Sequence, residues 1–397
     1  MSAAAVSLRS RRGGFLRRFL QGDLGSLRVI IAIALIWGIF QLEESRFLSA
    51  TNLTNLVLQI TAVGLISVGV VLVLLLGEID LSVGAVSGLT SAVMAVLSVQ
   101  HGWSPYLAIA AGVLVGAGIG LFQGFIFDFF GIPSFVVTLA GLLAWQGFQL
   151  RVLGDTGTVN ITDPTITGLA GTFYSDAVGW VLAAVGIAGF AGTRLWSRHT
   201  RIHAELAAPP LATVVFRVLI VAAAVVAIVA VLNSDRGVPL AGLILLGFVL
   251  VFQYVTTRTR FGRHIYAVGG NAEAARRAGI SITRVRVMVF MLASSMAAVG
   301  GILAASRLLA VNQSSGGNNL LLLAIAGPVV AGTSLFGGRG SVWTALLGAV
   351  VIGSISNGMD LLALQSSIQF IVTGAVLLAA VVVDAIARQQ RVASGRV

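Results

Sequence analysis

The chain has 397 residues and a net charge of +11; 57% of its residues are apolar, only 10% are charged, and Lys and Cys are both absent. A soluble domain of this composition would leave far too much apolar surface against water, so the chain falls in the polytopic membrane class. Without Cys it has no disulfide, thiolate metal site or thiol nucleophile, and without Lys it has no GxxxxGK[ST] loop, so ATP hydrolysis of the usual kind must come from another chain.

In chain order, residues 1–26 carry Arg9, Arg11, Arg12, Arg17 and Arg18 with no convincing cleavage signal behind them, and read as a basic cytoplasmic segment before an uncleaved first span. Apolar runs then predict twelve spans: 27–42, 53–76, 82–99, 105–127, 133–153, 177–194, 211–232, 238–256, 286–307, 320–336, 341–361 and 367–386. The transmembrane body is thus 27–386, with a basic loop at 257–285 and a short tail at 387–397. With both termini cytoplasmic, twenty arginines fall inside and only Arg46, Arg151, Arg236 and Arg307 outside, while Arg217 is left within a span. A shift by one span scrambles that asymmetry, so the basic excess sets orientation in a bilayer and gives no reason to invoke nucleic acid.

Two spans are interrupted. At Gly77-Glu78-Ile79-Asp80-Leu81-Ser82 an acidic pair breaks an apolar stretch, and Gly327-Pro328 sits inside the tenth span ahead of Gly332-Thr333-Ser334-Leu335-Phe336-Gly337-Gly338. Broken helices in a membrane need protein or water around them. Similar small-residue rhythms after each break point to two related halves, so the expected fold is all-α, about twelve transmembrane helices with broken or re-entrant segments. Asp80 and Ser82 serve equally well as caps of the third span. Glu78 must reach water, an arginine or the bundle interior, and the functional reading sets it, with Asp80 and Ser82, near a translocation path or at its inner gate.

Glycines at 112, 116, 120 and 124 recur every four residues along one span and read as a close-packing face; GxGxG within them lacks the strand a dinucleotide loop requires. Asn160-Ile161-Thr162, in the outer loop Gly154–Val178, is a glycosylation tripeptide of a kind that chance supplies readily. His199 and His203 stand four apart in a basic loop with only Glu205 near in sequence, too little for a metal site.

Between two apolar runs lies Arg258–Ile280, RTRFGRHIYAVGGNAEAARRAGI, with five arginines and one glutamate. Asn271 is placed to cap a short helix Ala272-Glu273-Ala274-Ala275-Arg276-Arg277-Ala278, with Glu273 in its first turn, the arginines in its last and Gly279 ending it. Two turns of helix are marginal alone, so the segment is expected to pack on a partner. The alternative is a solvated loop lying on anionic headgroups.

The strings GEIDLSVG and FGRHIYAVGGNAEAARRAGI resemble the permease subunits of bacterial ABC importers for monosaccharides, the ribose, galactose and xylose type within the branched-chain amino acid permease superfamily. Glu78, where many members have Gly, and the added region around 177–235 look most like the xylose branch. The resemblance implies a separate cytoplasmic ATPase, an extracytoplasmic sugar-binding protein, a second permease copy, and no cofactor. It also implies that Asn271–Gly279 is the helix docking on the ATPase, with Gly262, Arg263, Asn271, Ala272, Glu273, Ala274, Ala275, Arg276, Arg277 and Gly279 as coupling residues. The rival is a proton- or sodium-coupled transporter using Glu78 and Asp80 as its carboxylates.

Overall fold

The computed structural model describes residues 27–393; the basic segment 1–26 and the last residues, 394–397, lie outside it. Among the described residues the spans are α1 (Leu27–Glu43), α2 (Ala50–Leu75), α3 (Val83–Val99), α4 (Pro105–Phe130), α5 (Ser134–Leu153), α7 (Asp176–His203), α8 (Leu211–Asn233), α9 (Leu240–Arg258), α12 (Ile282–Leu308), α13 (Asn318–Val330), α14 (Trp343–Leu361) and α15 (Ser366–Ala393). Three shorter helices, α6 (Pro164–Gly171), α10 (Arg260–Gly270) and α11 (Ala272–Arg277), complete the set. Every predicted span has its helix, and eight are long and apolar enough to cross a bilayer. Two fall short at the predicted breaks: α3 has 17 residues, and α13 has 13 and stops at Val330 where 320–336 was expected.

At the centre are α2 and α12, with α14 the most enclosed of the long apolar helices. Lipid gives apolar helices no reason to leave it for one another, so close backbone approach must hold them. The glycine face of α4 does this: an added Cβ at Gly116 would stand 2.8 Å from the Ser294 carbonyl oxygen, at Gly124 2.9 Å from Val287 Cα, and at Gly120 would overlap the Phe290 carbonyl. Gly69 of α2 meets α12 in the same way, 2.7 Å from the Ala293 oxygen.

Pro328 leaves the carbonyl four residues earlier, at Ala324, without its helical donor. Ser67 of α2 replaces it, its hydroxyl donating to the Ala324 oxygen at 2.9 Å. The broken element is thus satisfied from a neighbouring helix, as hydrocarbon surroundings demand.

The loop after α5, read as a solvated cap, carries structure of its own. β1 (Thr158–Asn160) pairs antiparallel with β4 (Ala310–Asn312), and β2 (Phe173–Tyr174) with β3 (Val238–Pro239). Between β1 and β2, α6 buries Ile166 and ties its Ala170 N–H to Ser306 Oγ at 2.9 Å. The cap is therefore fixed to the far end of α12.

Candidate coupling and gating site

The basic loop begins with Thr259, whose hydroxyl accepts from the Gly262 N–H at 3.1 Å and starts α10. Any side chain at Gly262 would overlap the Thr256 carbonyl, so this glycine is buried in a tight turn between α9 and α10. Arg263 beside it is exposed. Asn271 Oδ1 accepts from the Ala274 N–H at 2.9 Å, and Gly279, at φ +79°, ends the short helix α11 in the left-handed region. Both sequence-predicted caps are in place.

The alanines of α11 do not all share one side. Ala275 points inward, 4% exposed, in the same buried cluster as Ile282 and Val285 of α12, and Ala272 is half-buried. Outward go Glu273, Ala274, Arg276 and Arg277, with Glu273 bridging Arg276 at 3.6 Å and Arg277 at 3.2 Å. The face presented is charged, and Ala275 fastens it to the bundle.

The first break lies against this loop. The chain leaving α2 turns at Gly77 (φ +78°) and runs to Ser82 without regular structure, its N–H groups met by α5: Ile79 donates to Ser134 Oγ at 3.3 Å and Leu81 to Thr138 Oγ1 at 3.1 Å. Asp80 Oδ1 accepts from both the N–H and the hydroxyl of Ser82, at 2.8 and 2.7 Å, so Asp80 fixes the N-cap residue of α3, and Ser82 itself makes no side-chain cap. Glu78 is paired: Arg286 of α12 reaches it at 3.0 Å and reaches Asp128, in the last turn of α4, at 2.9 Å, with the guanidinium 5.5 Å from the Phe127 ring centroid. Arg286 and Asp128 were not singled out from sequence; Arg286 stood there only as one more arginine of the basic end.

The second break meets the same place. Gly338 donates its N–H to the Leu75 carbonyl at 2.9 Å, a Cβ at Gly337 would stand 2.6 Å from the Gly269 oxygen and 2.8 Å from Gly77 N, and Tyr266 Oη donates to the Gly340 carbonyl at 3.0 Å. Gly77, Gly269 and Gly337 therefore bring three backbones together where side chains could not fit. The basic loop, the end of α2 and the turn after α13 form one junction.

Deeper in the bundle, Ser82 Oγ lies 3.1 Å from Gln123 Oε1, and Gln123 is seven residues before the end of α4, about 10 Å of helix. Asp80 Oδ2, Gln123 Nε2 and Trp145 Nε1 are buried with no hydrogen-bond partner, and Asp80 and Gln123 are 3% and 1% exposed. Gln123 Nε2 and Trp145 Nε1 both crowd the bare Cα of Gly141. A carboxylate, an amide and an indole thus share one buried polar layer between apolar helices. His199 and His203 stack edge to face at 4.3 Å, and no group of three metal-binding side chains occurs among the described residues.

A family profile described as the permease component of the branched-chain amino acid transport system matches residues 52–381. The chain belongs to this family. Among curated relatives of this permease, the xylose transport system permease protein of Escherichia coli K12 is 37% identical over 369 residues, spanning 92% of this chain and 93% of that one. The corresponding Haemophilus influenzae protein is 34% identical over 357 residues, 90% and 95% of the two chains. The ribose import permease protein of Bacillus subtilis is 31% identical over 368 residues, 93% and 95%. No solved structure matches.

Proposed function

We propose that this permease is the membrane subunit of an ATP-binding-cassette importer for a monosaccharide, a xylose-like pentose, working as a homodimer in the bacterial inner membrane with both termini cytoplasmic. It is not an enzyme: a separate ATPase docks on Arg263 and the outward face of α11, and an extracytoplasmic binding protein delivers the sugar. The observation that carries this reading is the junction at which the docking loop touches both helix breaks through Gly269, Gly77 and Gly337. When the ATPases close, α11 moves, Ala275 carries that movement into α12, and Arg286 carries it to Glu78 at the mouth of the 77–82 segment. The unpartnered Asp80, Gln123 and Trp145 polar atoms then offer hydroxyl-binding chemistry along the path while binding only weakly.

The rival, an ion-coupled transporter, needs Glu78 free to take up and release a cation, and the ion pair with Arg286 counts against it. Xylose uptake into cells carrying the permease with its ATPase and binding protein should persist when a protonophore collapses the proton gradient and cease when the ATPase subunit is deleted. Uptake that survives the deletion and fails with the protonophore contradicts the importer.

A further inference from the structure

The hairpin α7–α8 stands apart from the rest: only 11% of the apolar window of each helix is buried. Its register explains the one arginine that the topology left inside a span. The outer ends of the helices are in contact, since a Cβ at Gly179 would stand 2.8 Å from Asn233 Oδ1, and Asn233 Nδ2 donates to the Asp176 carbonyl at 3.2 Å. From Asn233 back to Arg217 is about 24 Å of helix, and from Asp176 forward to Arg194 about 27 Å, at 1.5 Å per residue. Both arginines therefore reach the inner edge of a hydrocarbon layer about 30 Å thick, on facing helices of one antiparallel pair. Arg217 falls opposite the stretch 192–195, about level with Arg194, and α7 continues past Arg198 to His203.

These side chains have no anion of their own. Among the described residues no carboxylate lies within ion-pair distance of Arg194, Arg198 or Arg217. Arg194 rests over the Phe190 ring at 4.9 Å, Arg198 donates once to the Pro209 carbonyl at 3.2 Å, and Trp196 beside them is 71% exposed, an indole at the depth where indoles favour the interface. An arginine whose Cα sits at the hydrocarbon edge extends its guanidinium outward to the phosphate layer, and its planar fork binds phosphate oxygens in pairs.

We propose that Arg194, Arg198 and Arg217 form a binding site for the phosphate of an anionic phospholipid, which fastens this otherwise loosely held hairpin to the inner leaflet. The site lies apart from the coupling junction, and its chemistry is independent of the sugar carried.

The full-length protein, reconstituted in phosphatidylcholine bilayers with or without phosphatidylglycerol, tests this by thermal unfolding and by counting co-isolated phosphatidylglycerol. Phosphatidylglycerol should raise the melting temperature, more at low than at high salt. The triple change R194Q/R198Q/R217Q should lose that rise and retain phosphatidylglycerol at least about tenfold more weakly. R194K/R198K/R217K, which keeps the charge and guards against a folding defect in the glutamine variant, should keep most of the rise. An equal rise in the wild type and in R194Q/R198Q/R217Q overturns the site. So does an equal rise produced by inorganic phosphate in phosphatidylcholine alone, which marks free anion binding. Loss of ATPase co-purification with the phosphatidylglycerol response intact also overturns it, because the arginines then serve a protein partner.

Discussion

Arg286 holds two carboxylates, Glu78 from the first helix break and Asp128 from the end of α4, while itself belonging to the helix that follows the basic loop. Removing the cation leaves two partly buried carboxylates side by side, and breaking such a pair costs roughly 3 kcal/mol or more. Arg286→Gln should therefore lower both membrane levels and uptake. Glu78→Gln keeps the Arg286–Asp128 pair, so the protein should accumulate normally while xylose uptake falls. Immunoblots of membranes beside radiolabelled uptake separate the two; unchanged rate and pH profile in Glu78→Gln removes the gate role. Glu78 itself was legible in sequence because a carboxylate amid VLVLLLG demands an explanation. Its partner was not, because an arginine among many at the basic end carries no mark of which carboxylate it meets across a distance in sequence that only the fold closes.

At the scale of elements, the capped helix α11 was readable from Asn271, Glu273 and Gly279, since capping is local chemistry. Which face it turns inward was not, because four alanines in seven residues present small surfaces on every side. The structure separates their roles by substitution. Ala275→Glu puts a charge into the cluster around Ile282 and Val285 and should destabilise the chain itself, lowering its membrane level. Arg277→Glu, on the outward face, should leave the level unchanged and abolish co-purification of the ATPase. The opposite pattern, checked by fluorescence-detected gel filtration and pull-down, means α11 docks by its alanines. The shortening of α13 and its repair were likewise half-visible: Pro328 announced a break, but nothing in sequence names Ser67 as the donor to Ala324. Ser67→Ala should cost about 0.6–1 kcal/mol, the usual worth of one side-chain hydrogen bond between membrane helices, read as a small fall in melting temperature.

For the whole molecule, helix order followed from apolar length: among the described residues helices occupy the twelve predicted places, eight of them long and apolar enough to cross a bilayer. Tertiary contacts such as β1 with β4, or the meeting of Gly77, Gly269 and Gly337, lay beyond reach because they join residues far apart in the chain whose types are compatible with many partners. The proposed orientation places Thr158 outside and Thr200 inside. In this chain without Cys, Thr158→Cys should react with an impermeant maleimide in intact cells, and Thr200→Cys only after permeabilisation. Equal labelling of both in intact cells contradicts twelve crossings with cytoplasmic termini.

Movement of the ATPase, as proposed, reaches the path through α11 and the junction beneath it. The direct measurement is sugar uptake into proteoliposomes containing the permease, its ATPase and its binding protein, with no ion gradient and with ATP supplied at the nucleotide-binding face. Uptake should require ATP and fall to background in Arg276→Glu/Arg277→Glu, while the ATPase alone still hydrolyses ATP. Undiminished ATP-driven uptake in that double variant, or uptake driven by a proton or sodium gradient without any ATPase, would contradict it.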